Sequence, residues 1–204
     1  MFEYINHASE YGIKTAEAEA DFAAVIKRSR GVADGMSKGV QFLMKKNKID
    51  VIMGSGKVKP GNKVEVKAAD GSQKEYTATN IILATGGRSR ELPNLKQDGK
   101  KVIGYRQAMV LPEQPKSMVV VGSGAIGVEF AYFYAILGTK VTVVEFMDNV
   151  VPVEDEDVSK QLLRSFKKAG IEVMTSSSVE SVDTSGAGCK VQVKTASGMQ
   201  TLEC

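Results

Sequence analysis

The 204 residues contain no run of about 18 apolar residues, so no segment reads as a membrane span. The opening Met1-Phe2-Glu3-Tyr4 lacks the basic and apolar regions of a secretory signal, and the Arg- and Ser-rich character of a transit peptide. Histidine is represented by His7 alone. A metal centre or a histidine-based triad would need partners that the sequence does not offer, and His7 reads as a surface residue of an early helix. Cysteine is scarce: Cys189 and Cys204 have neither CxxC nor metal-ligand spacing and read as reduced thiols of a cytoplasmic protein. A dominant charge is also missing, since the formal net charge is only +3. The densest basic cluster, Lys45, Lys46 and Lys48, falls at an expected helix end, where cations complement the helix dipole. No aromatic residues interleave with it, so neither nucleic acid nor membrane is an expected partner.

What remains is ordinary globular composition, 43% hydrophobic and 25% charged, with length for one or two domains. A short helix is expected from Met1 to about Ser9, followed by a turn at Tyr11-Gly12-Ile13. Asp21 is a good N-cap, and Phe22, Val25, Ile26, Val32, Met36, Val40 and Leu43 have helical spacing to about Lys46, despite Gly31, Gly35 and Gly39. Ile49–Met53 is a short apolar run that reads as a strand, and Ile81–Ala84 reads as a fully apolar strand. Between them, Lys63–Lys67 and Lys74–Ala78 alternate around Asp70-Gly71 and read as a hairpin. Pro93, Pro112 and Pro115 punctuate an irregular connection, which places a domain boundary near 112/113. Beyond it come a strand at Met118–Val121 buried on both faces, a helix over Ile126–Leu137 stopped by Gly138, and a strand at Lys140–Val144. A second helix follows over Glu156–Ala169, then a strand at Ile171–Met174 and a meander over Val179–Asp183, Lys190–Lys194 and Met199–Leu202. The acidic run Glu154–Asp157 reads as the charged start of that second helix rather than a metal site.

Gly122-Ser123-Gly124-Ala125-Ile126-Gly127 matches GxGxxG. With 20 glycines in the chain the match alone is weak, but its context is specific. An apolar strand ends just before Gly122, an apolar helix begins after Gly124, and a second apolar strand ends at Glu145. Gly122 permits the tight turn, Gly124 lets backbone approach a pyrophosphate, and Gly127 allows close helix packing. The helix N-terminus then presents free N–H groups and a partial positive charge to phosphate. Glu145 stands where an acid takes ribose hydroxyls. No Arg follows it in Phe146-Met147-Asp148-Asn149, which favours NAD over NADP. Glu129, one turn into the helix, reads either as a helix-end charge or as an acid that needs a cationic partner.

Val119 through Ala131, then Gly138 through Glu145, preceded by Ile81-Ile82-Leu83-Ala84-Thr85-Gly86-Gly87 and the stretch to Pro93, resemble the two-dinucleotide-binding flavoprotein disulfide reductases. Within them the similarity is greatest to the members that oxidise dihydrolipoamide. The resemblance implies an α/β fold of two partial dinucleotide-binding, three-layer domains, each with an antiparallel β-meander. Residues 1–112 would be part of an FAD-binding domain and 113–204 an NAD-binding domain. It implies FAD and NAD as cofactors. Ala84, Thr85 and Gly86 would lie along FAD, with Gly122, Gly124, Gly127 and Glu145 on NAD. Ala125 would gate the nicotinamide pocket, Ile126 would sit near the flavin ring, and Glu129 would pair with a lysine near it. Partners implied are a lipoyl domain of a 2-oxoacid dehydrogenase or glycine cleavage complex, and a second copy in a full-length homodimer. The family's upstream glycine fingerprint, its redox-active CxxxxC pair and its distal His–Glu pair have no counterpart here. The chain is therefore expected to be an interior segment with no catalytic residue of its own, inactive alone, with open sheet edges that invite association. Alternatives that keep the architecture are an NADH oxidase, a peroxidase or another disulfide reductase; a non-catalytic NAD-binding module is a third class.

Overall fold

The computed structural model describes residues 2–16 and 18–204; Met1, where the first helix was expected to begin, lies outside them. By compactness the chain falls into two units, residues 30–88 and residues 1–29 with 89–204.

The smaller unit holds most of helix α2 (Phe22–Lys46) and a three-stranded antiparallel sheet, β1 (Ser55–Lys59), β2 (Lys63–Lys67) and β3 (Gln73–Thr77), in the order β1-β2-β3. The α2 helix starts where expected because the Asp21 carboxylate accepts the Ala24 N–H at 2.9 Å, the bond an N-cap supplies. It runs through three glycines and ends with Lys45 and Lys46 in its last turn. The β2–β3 hairpin turns at Asp70-Gly71, where Gly71 has φ 84° and Asp70 accepts the Ser72 N–H at 2.9 Å. Strand β1 was missed, because Ser55-Gly56-Lys57-Val58-Lys59 has Val58 as its one apolar side chain and carries little apolar signal.

Two expected strands are corrected here. Ile49–Met53 and Ile81–Ala84 are irregular, and Met53, Ile82 and Leu83 are 80%, 89% and 72% exposed. A strand apolar on both faces needs neighbours on its edges and faces to satisfy its backbone and bury its side chains. Among the described residues no strand pairs with either run.

The larger unit opens with α1 (Phe2–Asn6) and a 3-10 turn at Ala8–Tyr11, closed by Gly12 at φ 72°. His7, between them, bonds Glu10 at 2.9 Å on the surface. After α3 (Tyr105–Ala108), a parallel sheet in the order β4-β5-β6 is built from β4 (Ser117–Val121), β5 (Lys140–Val144) and β6 (Glu172–Met174). Helices α4 (Ala125–Ile136) and α5 (Glu156–Lys168) form the crossovers, and β7 (Ser178–Asp183), β8 (Lys190–Thr195) and β9 (Gly198–Glu203) form an antiparallel meander. Asp155 caps α5 by accepting the Asp157 N–H at 2.8 Å, which gives the acidic run its structural role.

The sequence of β5 follows from its place between two layers. Successive side chains alternate across a strand. Val141 and Val143 enter a core with Ala131 and Tyr134 of α4, Phe22, Ala108, Phe166 and Ile171, whereas Val144 packs on the meander with Val179, Cys189, Val191 and Val193. Burying each valine contributes about 1.5–3 kcal/mol. Tyr134 is fully buried and its hydroxyl donates to the Ala108 carbonyl. By contrast β4 is an edge strand and is half-buried rather than buried on both faces, because only β5 pairs with it among the described residues. Both expected meanders are present, and a parallel dinucleotide-type sheet forms in the second half of the chain.

Candidate dinucleotide site

The end of β4 delivers Gly122 to a turn that few other residues could make. Its φ is 95°, and its N–H donates to the Val144 carbonyl at 2.8 Å, holding the turn to the neighbouring strand. Gly124 follows as the N-cap of α4, in extended conformation with no capping side chain. A Cβ on Gly124 would meet only open space. A Cβ on Gly127 would instead lie inside van der Waals contact of the Gly122 carbonyl oxygen and at 3.5 Å from the Val120 side chain. The three glycines thus differ in geometry: a left-handed turn at Gly122, open space at Gly124 and close packing at Gly127. The first turn of α4 carries no acidic residue, so its N–H groups and positive dipole end face outward without internal competition.

Across from this loop, Glu145 immediately follows β5 and is only 7% exposed. One carboxylate oxygen accepts both the Ser123 N–H and the Ser123 hydroxyl at 2.7 Å, and the other accepts the Met147 N–H at 2.8 Å. Burial works to raise the pKa of this carboxyl. Hydrogen bonds from the Met147 N–H, the Ser123 hydroxyl and N–H, and the Phe146 N–H outweigh that effect and hold it below its ordinary value. Glu145 is thus an anion that clamps the glycine loop. Three donors within 2.8 Å, with the Phe146 N–H beside them, occupy most of the roughly four acceptor sites of a carboxylate.

Sequence reasoning missed two members of this arrangement. Ser123, fully buried, occupies an open position of the motif, and only its 22-residue separation from an acid could have pointed to it. Val151 donates its N–H to the Ser123 carbonyl at 3.1 Å and holds φ at 41°, where β-branched residues are rarely found. Such a conformation costs on the order of 1–3 kcal/mol and persists where surroundings over-determine it. No local signal marks it, since Pro152 biases its predecessor toward extended backbone.

The remaining expected site residues are dispersed. Ala125 and Ile126 are exposed at the start of α4, Ile126 at 56%. Glu129 is exposed and has no ion pair among the described residues. Ala84, Thr85 and Gly86 lie in the smaller unit, in an exposed irregular segment where Gly86 has φ 77°. No helix of the described residues is long and apolar enough to cross a membrane.

Residues 7–204 match the family described as pyridine nucleotide-disulphide oxidoreductase. A dihydrolipoyl dehydrogenase of Chlorobaculum tepidum is 44% identical over 203 residues, which cover 99% of this chain and 43% of that protein. One from Zymomonas mobilis is 37% identical, covering 100% of this chain and 44% of its own length. A crystal structure of LpdA from Mycobacterium tuberculosis superposes with a TM-score of 0.85 at 30% identity, over 99% of this chain and 44% of that one. The chain thus spans less than half the length of the curated relatives it matches. With a left-handed glycine turn, an uncapped helix start and a buried acid closing the next strand, it belongs to the pyridine nucleotide-disulphide oxidoreductase family.

Proposed function

We propose that this chain supplies the NAD site, and part of the FAD site, of a flavin-dependent dithiol:NAD oxidoreductase acting on dihydrolipoamide. The observation that carries the reading is the cradle at Gly124. Open space stands where a Cβ would be, the first turn of α4 has no acid, and an anionic Glu145 lies across the loop. These residues fit the ADP half of a dinucleotide: N–H groups of the α4 start for the pyrophosphate, Glu145 for the ribose hydroxyls. A buried anion there repels a 2′-phosphate, which favours NAD over NADP. When bound, NAD supplies hydride acceptance. The residues of this chain bind and orient it, with Ala125 and Ile126 at the nicotinamide and flavin side. For FAD the fit is partial, resting on the turn at Ala84, Thr85 and Gly86, and Glu129 would need a lysine from elsewhere.

The same reading divides the chain at 112/113 into FAD-type and NAD-type portions. It assigns the chain a cytoplasmic setting, a lipoyl-domain partner from a 2-oxoacid dehydrogenase or glycine cleavage complex, and homodimerisation in the longer protein. Support comes from the dihydrolipoyl dehydrogenase relatives and from their greater length. Titration of ligand fluorescence tests the nucleotide assignment: NADH should bind more tightly than NADPH, and equal or reversed affinities would overturn it. Dihydrolipoamide-dependent NADH formation should be absent from the isolated chain, and measurable turnover would sink the segment reading.

A further inference from the structure

The cysteines, 15 positions apart in sequence, lie directly opposite each other in space. The Cys189 N–H donates to the Cys204 carbonyl at 2.6 Å and the Cys204 N–H donates to the Cys189 carbonyl at 3.0 Å. This reciprocal pair extends the β8–β9 ladder by one step beyond Lys190 and Glu203. Residues so paired have Cα atoms about 5.5 Å apart, inside the roughly 4.4–6.8 Å that a disulfide spans. Gly188 makes the approach feasible, since a Cβ on it would collide with the Cys204 carbonyl oxygen. The preceding loop is fixed as well: the Lys101 ammonium donates to the carbonyls of Thr184, Gly186 and Gly188. Both thiols are free, and Cys189 lies near enough to perturb the Cys204 thiol. They line a surface cleft of about 390 Å³ that also touches Asp183 and Ser185. Cys204 is half-buried and Cys189 buried, so a small reagent meets Cys204 first.

We propose that Cys189 and Cys204 form a reversible redox modification site, closed to an intrachain cross-strand disulfide by exchange with a small-molecule disulfide that enters this cleft. In the first step the Cys204 thiolate attacks one sulfur of the reagent and expels its other half as a thiolate. In the second, Cys189 gives up its proton and attacks the Cys204 sulfur, expelling the second half. Two protein thiols are oxidised by two electrons, one small disulfide is reduced to two thiols, and the protons from the cysteines return to the leaving thiolates. Burial first, and then the adjacent Cys189, push the Cys204 thiol above its ordinary value, so thiolate is scarce near neutrality and the exchange should speed up as pH rises. The assignment stands apart from the function proposed above.

The purified reduced chain, freed of reductant and exposed to oxidised glutathione, provides the test by intact-mass analysis and thiol alkylation. The expected product is a monomer that has lost both thiol hydrogens, carries no glutathione, yields a peptide linking positions 189 and 204, and regains both thiols with dithiothreitol. Cys189→Ser should stop at a glutathione adduct on Cys204. Wild-type protein that retains an adduct on Cys204 with Cys189 free, that bridges between chains, or that keeps both thiols until it is unfolded would overturn the proposal.

Discussion

Replacing Glu145 by glutamine tests whether the carboxylate is a structural clamp as well as a nucleotide ligand. The substitution preserves shape and removes the charge. In the native loop three donors converge on the carboxylate at 2.7–2.8 Å. If the glutamine oxygen keeps the Ser123 N–H and hydroxyl, its NH2 must face the Met147 N–H, leaving a part-buried donor without a partner. One orphaned donor costs about 1–3 kcal/mol, and weakening two charge-assisted bonds to neutral ones adds about 1 kcal/mol, so the loss should be roughly 2–4 kcal/mol. At roughly 2–4 °C per kcal/mol, the melting temperature should fall by about 5–15 °C. The pH dependence carries a further signature. Because the folded-state pKa of Glu145 is held below its ordinary value, its contribution is fully present above that value and is lost as pH falls through the folded pKa. The stability gap between wild type and Glu145→Gln should therefore be full at neutral pH and close in acid. Urea denaturation followed by circular dichroism at both conditions reads this directly. An unchanged midpoint at neutral pH, or a gap that stays constant into acid, would refute the clamp.

Gly124→Ala should leave folding stability unchanged, because its Cβ meets open space, yet lower NADH affinity severalfold, since that space is where a pyrophosphate would approach; thermal melts and fluorescence titration separate the two effects. Gly127→Ala should destabilise the larger unit by about 1–3 kcal/mol through overpacking against the Gly122 carbonyl, seen as a lower urea midpoint. Burial pushes the Tyr134 hydroxyl up to about 12, so one of the six tyrosines should resist ultraviolet titration until the chain unfolds, and stability should decline as pH rises from the ordinary tyrosine range through that value. Tyr134→Phe should cost about 1–2 kcal/mol by leaving the Ala108 carbonyl unpaired, and should abolish the resistant transition.

What the sequence made legible was local in origin. The α2 helix was readable from Asp21 and its apolar spacing, α5 from its acidic start and Gly170, and the β7–β9 meander from strict alternation. The glycine turn was readable because strand, loop and helix are contiguous. The two expected strands that did not form share one cause. Ile49–Met53 and Ile81–Ala84 have strand composition, but a buried strand is defined by its neighbours, and composition carries no record of whether those are present. The clamp of Glu145 on Ser123, the support of Ser123 by Val151 and the facing of Cys189 to Cys204 are likewise pairings across 22, 28 and 15 positions, set by register and not by any local pattern.

The contact between Gly127 and the Gly122 carbonyl has an evolutionary consequence. These two positions form one unit: a side chain at 127 is admissible only if the turn at 122 moves, and moving that turn breaks its bond to Val144. Their substitutions should be strongly non-additive, whereas Gly124, where an added Cβ would meet open space, should accumulate changes independently of both. Drift at 124 would thus record relaxed demand for a dinucleotide, while the persistence of glycine at 122 and 127 would record only that the strand-to-helix turn is still being folded.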